Sequence, residues 1–187
     1  MSRKSVRILG AAILAVLLLA DAPARAAVSK TFNATASVTA NCLMSNIGDL
    51  NFGAYDPVVA NASAGLSGNT TFTLTCTRGA LPVISLNAGA NFGQNIAAKR
   101  AMNNGTTSPA AGNYLSYDLL VPSSVGGPAS ATASVAHWGD GTSGTSTFSP
   151  SVPTVAAQTI TIFGSVPPTQ DVAAGTYTDS VTATVNY

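Results

Sequence analysis

Residues able to do chemistry are few in this chain. Histidine occurs once, as His137, and glutamate does not occur. His137 stands three positions before Asp140, and serine is abundant, so a Ser-His-Asp relay is the first chemistry to weigh. Such a relay needs a base oriented by a separate carboxylate and a nucleophile presented on a sharp elbow. His137 and Asp140 instead share one Gly-rich turn, and no Gly-x-Ser-x-Gly stretch is present. Glycoside hydrolysis would need two carboxyl groups of shifted pKa in one cleft. Asp49, Asp56, Asp118, Asp140, Asp171 and Asp179 are scattered, and Asp49, Asp56 and Asp171 lie beside Gly or Pro or in loops, as turn residues do. The stretch from His137 through Trp138 to Thr142 reads either as a sugar-binding aromatic loop or as a structured turn around a packed Trp, and the second is the ordinary case. Asn-x-Ser/Thr triplets at Asn33, Asn61, Asn69 and Asn104 are expected by chance in so Asn- and Thr-rich a chain. The reading is a protein that is not an enzyme and uses no cofactor.

Cys42 and Cys76 are the two cysteines. In an exported chain they favour a disulfide. Closing a loop of that length would stabilise the fold by roughly 3–4 kcal/mol in the chain-entropy model. Two buried free thiols are the alternative. A zinc site lacks ligands, since only His137 could assist and no Cys-x-x-Cys spacing occurs.

Strands must position whatever function these residues leave open. No long window carries apolar residues at helical spacing without Gly or Pro intruding, and the best helix candidate, residues 95–103, is short. Alternation at the spacing of a strand is clear in several places. Over residues 31–39, Phe32, Ala34, Ala36 and Val38 face one way and Thr31, Asn33, Thr35, Ser37 and Thr39 the other. Over 70–77, Phe72, Leu74 and Cys76 oppose Thr71, Thr73 and Thr75. Residues 82–87 set Val83 and Ser85 against Ile84 and Leu86. Residues 114–121 line up Leu115, Tyr117 and Leu119, and residues 159–163 give Ile160 and Ile162. Residues 178–187 place Val181, Ala183, Val185 and Tyr187 on one face. Gly, Pro, Asn and Ser clusters separate these runs. About seven strands joined by long connections argue for an antiparallel sandwich of immunoglobulin-like size.

The first 26 residues read as a signal peptide. Arg3, Lys4 and Arg7 form a basic start, residues 8–20 are apolar apart from Gly10, and Ala24-Arg25-Ala26 places cleavage before Ala27. The apolar run is about 13 residues, against roughly 20 for a membrane span. No later stretch is apolar and long enough to span, so no membrane span is expected after cleavage. The remaining 187 − 26 = 161 residues suit one domain. They hold Lys30, Arg78, Lys99 and Arg100 against six Asp, a net charge of 4 − 6 = −2. Such a balance could not neutralise a run of phosphates, so nucleic acid is not an expected partner. So few charges also give weak electrostatic protection against self-association.

Several short stretches, in order along the chain, carry a resemblance. They are the alternating segment ending at Cys42, Leu50-Asn-Phe-Gly-Ala-Tyr55, Cys76-Thr-Arg-Gly79, and Arg100 followed by Met102. Leu115-Ser-Tyr-Asp-Leu119, Trp138-Gly-Asp-Gly141 and Phe163-Gly-Ser-Val-Pro167 follow, then Gln170, Gly175-Thr-Tyr-Thr-Asp179 and the terminal Val-Asn-Tyr187. Together they resemble the spore coat protein U domain family, whose members include subunits of archaic, Csu-type chaperone–usher pili. The loops rich in Ala, Ser, Gly and Thr at residues 104–113 and 123–135 depart from the family pattern, and local mobility is expected there.

The resemblance implies an incomplete immunoglobulin-like sandwich lacking its last strand. A periplasmic chaperone first fills the vacancy, and at the outer-membrane usher the N-terminal strand of another subunit replaces it. The expected organisation is a signal peptide (1–26), a donor segment (27–41) and a β-sandwich domain (42–187). Phe32, Ala34, Ala36 and Val38 would be the inserted side chains. Val181, Ala183, Val185 and Tyr187, at the end of a strong strand with no strand sequence after it, would line the groove. The alternative is that residues 31–39 pair within their own domain as its first strand. Function on this reading is that of a surface pilus subunit, in transit through the periplasm to the cell surface, serving adhesion or biofilm formation. A coat or matrix protein that forms no pilus and a carbohydrate-binding adhesin are the other two readings.

Overall fold

The computed structural model describes residues 25–107, 110–152 and 154–187. Nearly all of the expected signal peptide lies outside them. The chain divides into two units, one ending at Ser37 and one running from Val38 to Tyr187. In the first, the described residues form no strand and every side chain is exposed. The second unit is all-β.

Its strands are β1 (Cys42–Met44), β2 (Leu66–Cys76), β3 (Val83–Leu86), β4 (Arg100–Asn103), β5 (Tyr114–Pro122), β6 (Ala133–His137), β7 (Gln158–Val166) and β8 (Ala183–Asn186). A 3-10 turn at Ala111–Asn113 is the one helical element among the described residues. Every strand pair is antiparallel. The larger sheet runs β1-β2-β7-β5-β4 with β6 also on β5, and the smaller pairs β3 with β8. The first half of β5 pairs with β4, while its second half pairs with β7 and β6.

Alternation explains which residues enter the core. Phe72, Leu74 and Cys76 of β2 are buried while Thr73 is exposed, because successive side chains of a strand point to opposite faces. The central β5 is covered on both faces: seven of its nine residues are buried and the other two half-buried. Ile160, Ile162 and Val166 of β7 join them, with Ile84 and Leu86 from the smaller sheet. Each large apolar side chain taken fully from water contributes roughly 1.5–3 kcal/mol. Trp138 lies fully buried between the sheets, donates its indole N–H to the Ile84 carbonyl at 3.0 Å and meets Phe148 edge-on. That one hydrogen bond satisfies the indole's only donor.

Some expectations need correction. The helix candidate at 95–103 is a series of turns followed by β4. Ala98 there sits at φ 59°, outside the right-handed helical region, and Arg100–Asn103 takes its backbone partners from β5. The loop expected at 123–135 runs into β6. Residues 31–39 form no strand among the described residues.

Candidate functional site: two open sheet edges

Antiparallel pairing alternates between residue pairs that exchange backbone hydrogen bonds and pairs that do not. This alternation decides which backbone groups of an edge strand point outward. In the smaller sheet, Ile84 exchanges both backbone bonds with Phe148, at 2.8 and 2.9 Å, and the Leu86 N–H goes to the Gly139 carbonyl at 3.1 Å. Both residues therefore point away from β8. Their opposite numbers, Val185 and Ala183, in turn point away from β3. The N–H and C=O groups of Ala183 and Val185 line an edge that no strand among the described residues occupies.

β1 repeats the arrangement on the larger sheet. The Thr77 N–H donates to the Asn41 carbonyl and the Ser45 N–H to the Thr73 carbonyl, each at 2.9 Å. The intervening Cys42 and Met44 therefore turn their backbone groups away from β2. On both edges the outward-facing backbone belongs to residues whose side chains face inward. Cys42, Met44, Ala183 and Val185 are half-buried and pack against the same core, as does Val181 just before β8. At one end the edges are tied: the Tyr187 hydroxyl donates to Asn41 Oδ1 at 3.2 Å.

Cys42 and Cys76 form a disulfide, with sulfurs 2.08 Å and Cα atoms 4.1 Å apart. They are directly opposed in a pair that exchanges no backbone bonds, where side chains approach most closely. The bridge fastens the three-residue β1 to the long β2. Of the groove candidates, Val181, Ala183 and Val185 are half-buried and pack against the core, while Tyr187 is 57 % exposed. Phe32 is 90 % and Val38 84 % exposed, and Ala34 and Ala36 are exposed as well. Sequence reasoning missed Met44, Asn41 and Thr77. Their only signal was nearness to the two cysteines.

Among the described residues, His137 and Asp140 take separate partners rather than pairing with each other. His137 Nδ1 lies 3.3 Å from Asp118 Oδ1, and the other Asp118 oxygen pairs with Lys99. Asp140 belongs to its own turn, accepting from the Thr142 N–H at 2.9 Å and from the Thr142 hydroxyl at 2.7 Å. These bonds, the hydroxyl's foremost, hold its carboxyl below the usual range. Trp138 is fully buried, so its ring offers no face to a sugar. Burial pulls the Arg100 guanidinium's pKa down, opposed by the nearby Tyr117 and Asp residues. Its donors reach the carbonyls of Asn87 and Trp138, a structural role that ties β4 to the loops beside it. The surface cleft of about 610 Å³ beside Gln170 is equally committed. The Gln170 amide binds both backbone groups of Ser116, standing in for a strand. Among the described residues no cluster of His, Cys, Asp or Glu could hold a metal ion, and no helix is long and apolar enough to cross a membrane.

The antiparallel sheets and shared core define an all-β protein of immunoglobulin-like build. Comparison with known proteins places it further. The model of the Spore Coat Protein U domain matches residues 28–184. Protein U of Myxococcus xanthus is 33% identical over 183 residues, covering 92% of this chain and 93% of that protein. The chain belongs to the Spore Coat Protein U domain family. Among solved structures, it is similar to a chain in the CsuC–CsuE chaperone–tip adhesion subunit pre-assembly complex from archaic chaperone-usher Csu pili of Acinetobacter baumannii. The TM-score is 0.51 at 23% identity, over 80% of this chain and 40% of that one. The likeness is one of fold, and this chain spans less than half the length of that neighbour.

Proposed function

We propose that the protein is a structural subunit of a bacterial surface fibre, joined to its neighbours by strand donation along a chaperone–usher route. The observation that carries this is the pair of open edges. Ala183 and Val185 on one side and Cys42 and Met44 on the other turn unpaired backbone outward and half-buried side chains inward. A strand laid along such edges gains backbone hydrogen bonds and sends alternate side chains into the core. Residues 31–39 have the matching pattern, with Phe32, Ala34, Ala36 and Val38 on one face and no pairing partner among the described residues. Donor and acceptor are different surfaces, so the contact is heterologous and extends into a filament rather than closing.

Copies of the same chain or sibling subunits are the partners in the fibre. A periplasmic chaperone would hold the open edges before assembly, and an outer-membrane usher would exchange it for a neighbour's strand. The subunit would pass through the periplasm to the cell surface, and the fibre would serve adhesion or biofilm formation. Resemblance to Protein U and to the coat-protein family keeps a second reading, a coat or matrix protein that forms no pilus. Strand donation would serve that assembly equally.

The test is to append a copy of residues 28–39 after Tyr187 through a flexible linker. The expected result is a stable monomer with a raised melting temperature. Fibres formed as readily as by the parent chain would overturn the proposal.

A further inference from the structure

An open groove beside a matching segment raises a difficulty: the segment belongs to the same chain. Were residues 31–39 to fold back onto their own edges, the subunit would cap itself and polymerisation would stop. Folding back requires a chain reversal between Val38 and Cys42, the first residue of β1. Tight hairpin reversals favour Gly, or Asn followed by Gly, because their central residues need positive φ. This chain offers Thr39, Ala40 and Asn41 there, with no glycine.

The same three residues are also held in place. The Asn41 N–H donates to the Thr77 hydroxyl at 3.1 Å, and the Asn41 carbonyl accepts from the Thr77 N–H at 2.9 Å. The Thr77 hydroxyl reaches the Thr39 carbonyl at 3.3 Å. From the opposite edge, Tyr187 donates to the Asn41 side chain. The chain from Thr39 to Asn41 thus runs straight on beyond the first residue of β1, held beside Thr77 just past the end of β2, and the Tyr187 hydroxyl bonds it from the β8 side.

We propose that Thr77 and Tyr187 form a clasp on Asn41 that keeps the donor segment out of its own groove and commits it to a second copy of the chain. This rests on the strand-donation reading. Thr77 and Tyr187 are positioning residues: they need not touch the donated strand.

The experiment uses the full exported chain with Thr77→Val and Tyr187→Phe, singly and together. Thr77→Val keeps the backbone bond to Asn41 and removes only the hydroxyl; Tyr187→Phe removes only the hydroxyl on the other side. Assembly is followed by the fraction of chain remaining monomeric, and amide exchange of residues 31–39 is read in monomers and fibres. Each hydrogen bond lost should raise the self-capped monomer fraction roughly two- to tenfold. Those monomers should protect the amides of 31–39 and melt higher than the open subunit. An unchanged monomer fraction, or extra monomers with 31–39 unprotected, overturns the clasp while wild-type fibres still protect 31–39. Wild-type fibres that leave 31–39 unprotected would remove strand donation itself, and the clasp with it.

Discussion

Gly68 of β2 and Gly164 of β7 lie directly opposite each other, and Leu50 and Phe52 occupy the space that side chains there would fill. A Cβ on Gly164 would come within 2.6 Å of Leu50 Cδ2 and 2.7 Å of the Phe52 ring. On Gly68 the closest approaches would be 3.1 Å to the Asn51 carbonyl and 3.3 Å to the Leu50 and Phe52 side chains. The Leu-Asn-Phe-Gly stretch is thus a crossing segment that seals the β2–β7 pair. Gly164→Ala should destabilise the domain by about 1–3 kcal/mol through overpacking. Gly68→Ala should cost less. Thermal denaturation of the two variants side by side checks the order, each kcal/mol lowering Tm by about 2–4 °C.

The disulfide gives a second expectation. β1 is three residues long, and the bridge spans a sequence separation of 34. Cys42→Ser should cost about 3 kcal/mol and release β1, the edge that borders the groove. Reduced yield of soluble subunit and faster amide exchange at Ser45, whose N–H donates to the Thr73 carbonyl of β2, are the readouts. A variant that exchanges the Ser45 amide no faster than the parent would show that pairing with β2 alone holds the edge.

Much of this architecture was legible because alternation and burial coincide. Residues 70–77, 114–121 and 159–163 announced β2, β5 and β7 by apolar residues at every second position. Val181, Ala183 and Val185 likewise foretold the inward face around β8. What escaped had no such pattern. β1 is too short to alternate, and its placement depends on Cys76 and Thr77, more than 30 residues away. β4 reads Arg-Ala-Met-Asn, a helix-tolerant run that β5 recruits by pairing. β6 is Ala-Ser-Val-Ala-His inside an Ala- and Thr-rich stretch, and its register against β5 shifts between Leu120 and Pro122. The converse also occurred: residues 31–39 alternate as well as any strand yet pair with nothing among the described residues. Alternation records a capacity to pair, and a partner must supply the rest.

Alkaline pH should weaken the fold through Tyr117. Burial first, then the hydrogen bond it donates to Asp179 at 2.7 Å, push its phenol pKa well above the ordinary value. A group whose folded pKa is raised contributes stability that is complete below the unfolded pKa and falls as pH rises beyond it. Stability should therefore decline above about pH 10, where an unfolded tyrosine begins to ionise. Tyr117→Phe should start less stable, having lost the bond to Asp179, but show a flatter decline. Equal slopes in denaturant titrations across that range would assign the alkaline loss elsewhere.

His137 should be dispensable. It is half-exposed, and Asp118 retains Lys99 when the imidazole is removed. His137→Ala should change stability by less than about 1 kcal/mol and leave polymerisation intact. A hydrolytic activity of the parent chain that vanished in this variant would contradict the reading of the protein as structural.

Comparison of Phe32→Asp with Thr35→Asp in a polymerisation assay tests strand donation most directly. Both substitutions place one carboxylate on the same exposed segment, and they differ only in which face carries it. If Phe32 enters a neighbour's groove, its replacement buries an unpaired charge at a cost of several kcal/mol. Phe32→Asp should then be exported and folded yet remain monomeric, while Thr35→Asp polymerises close to the wild-type rate. Equal polymerisation by the two variants would mean that the faces of this segment are equivalent, and that residues 31–39 do not donate a strand.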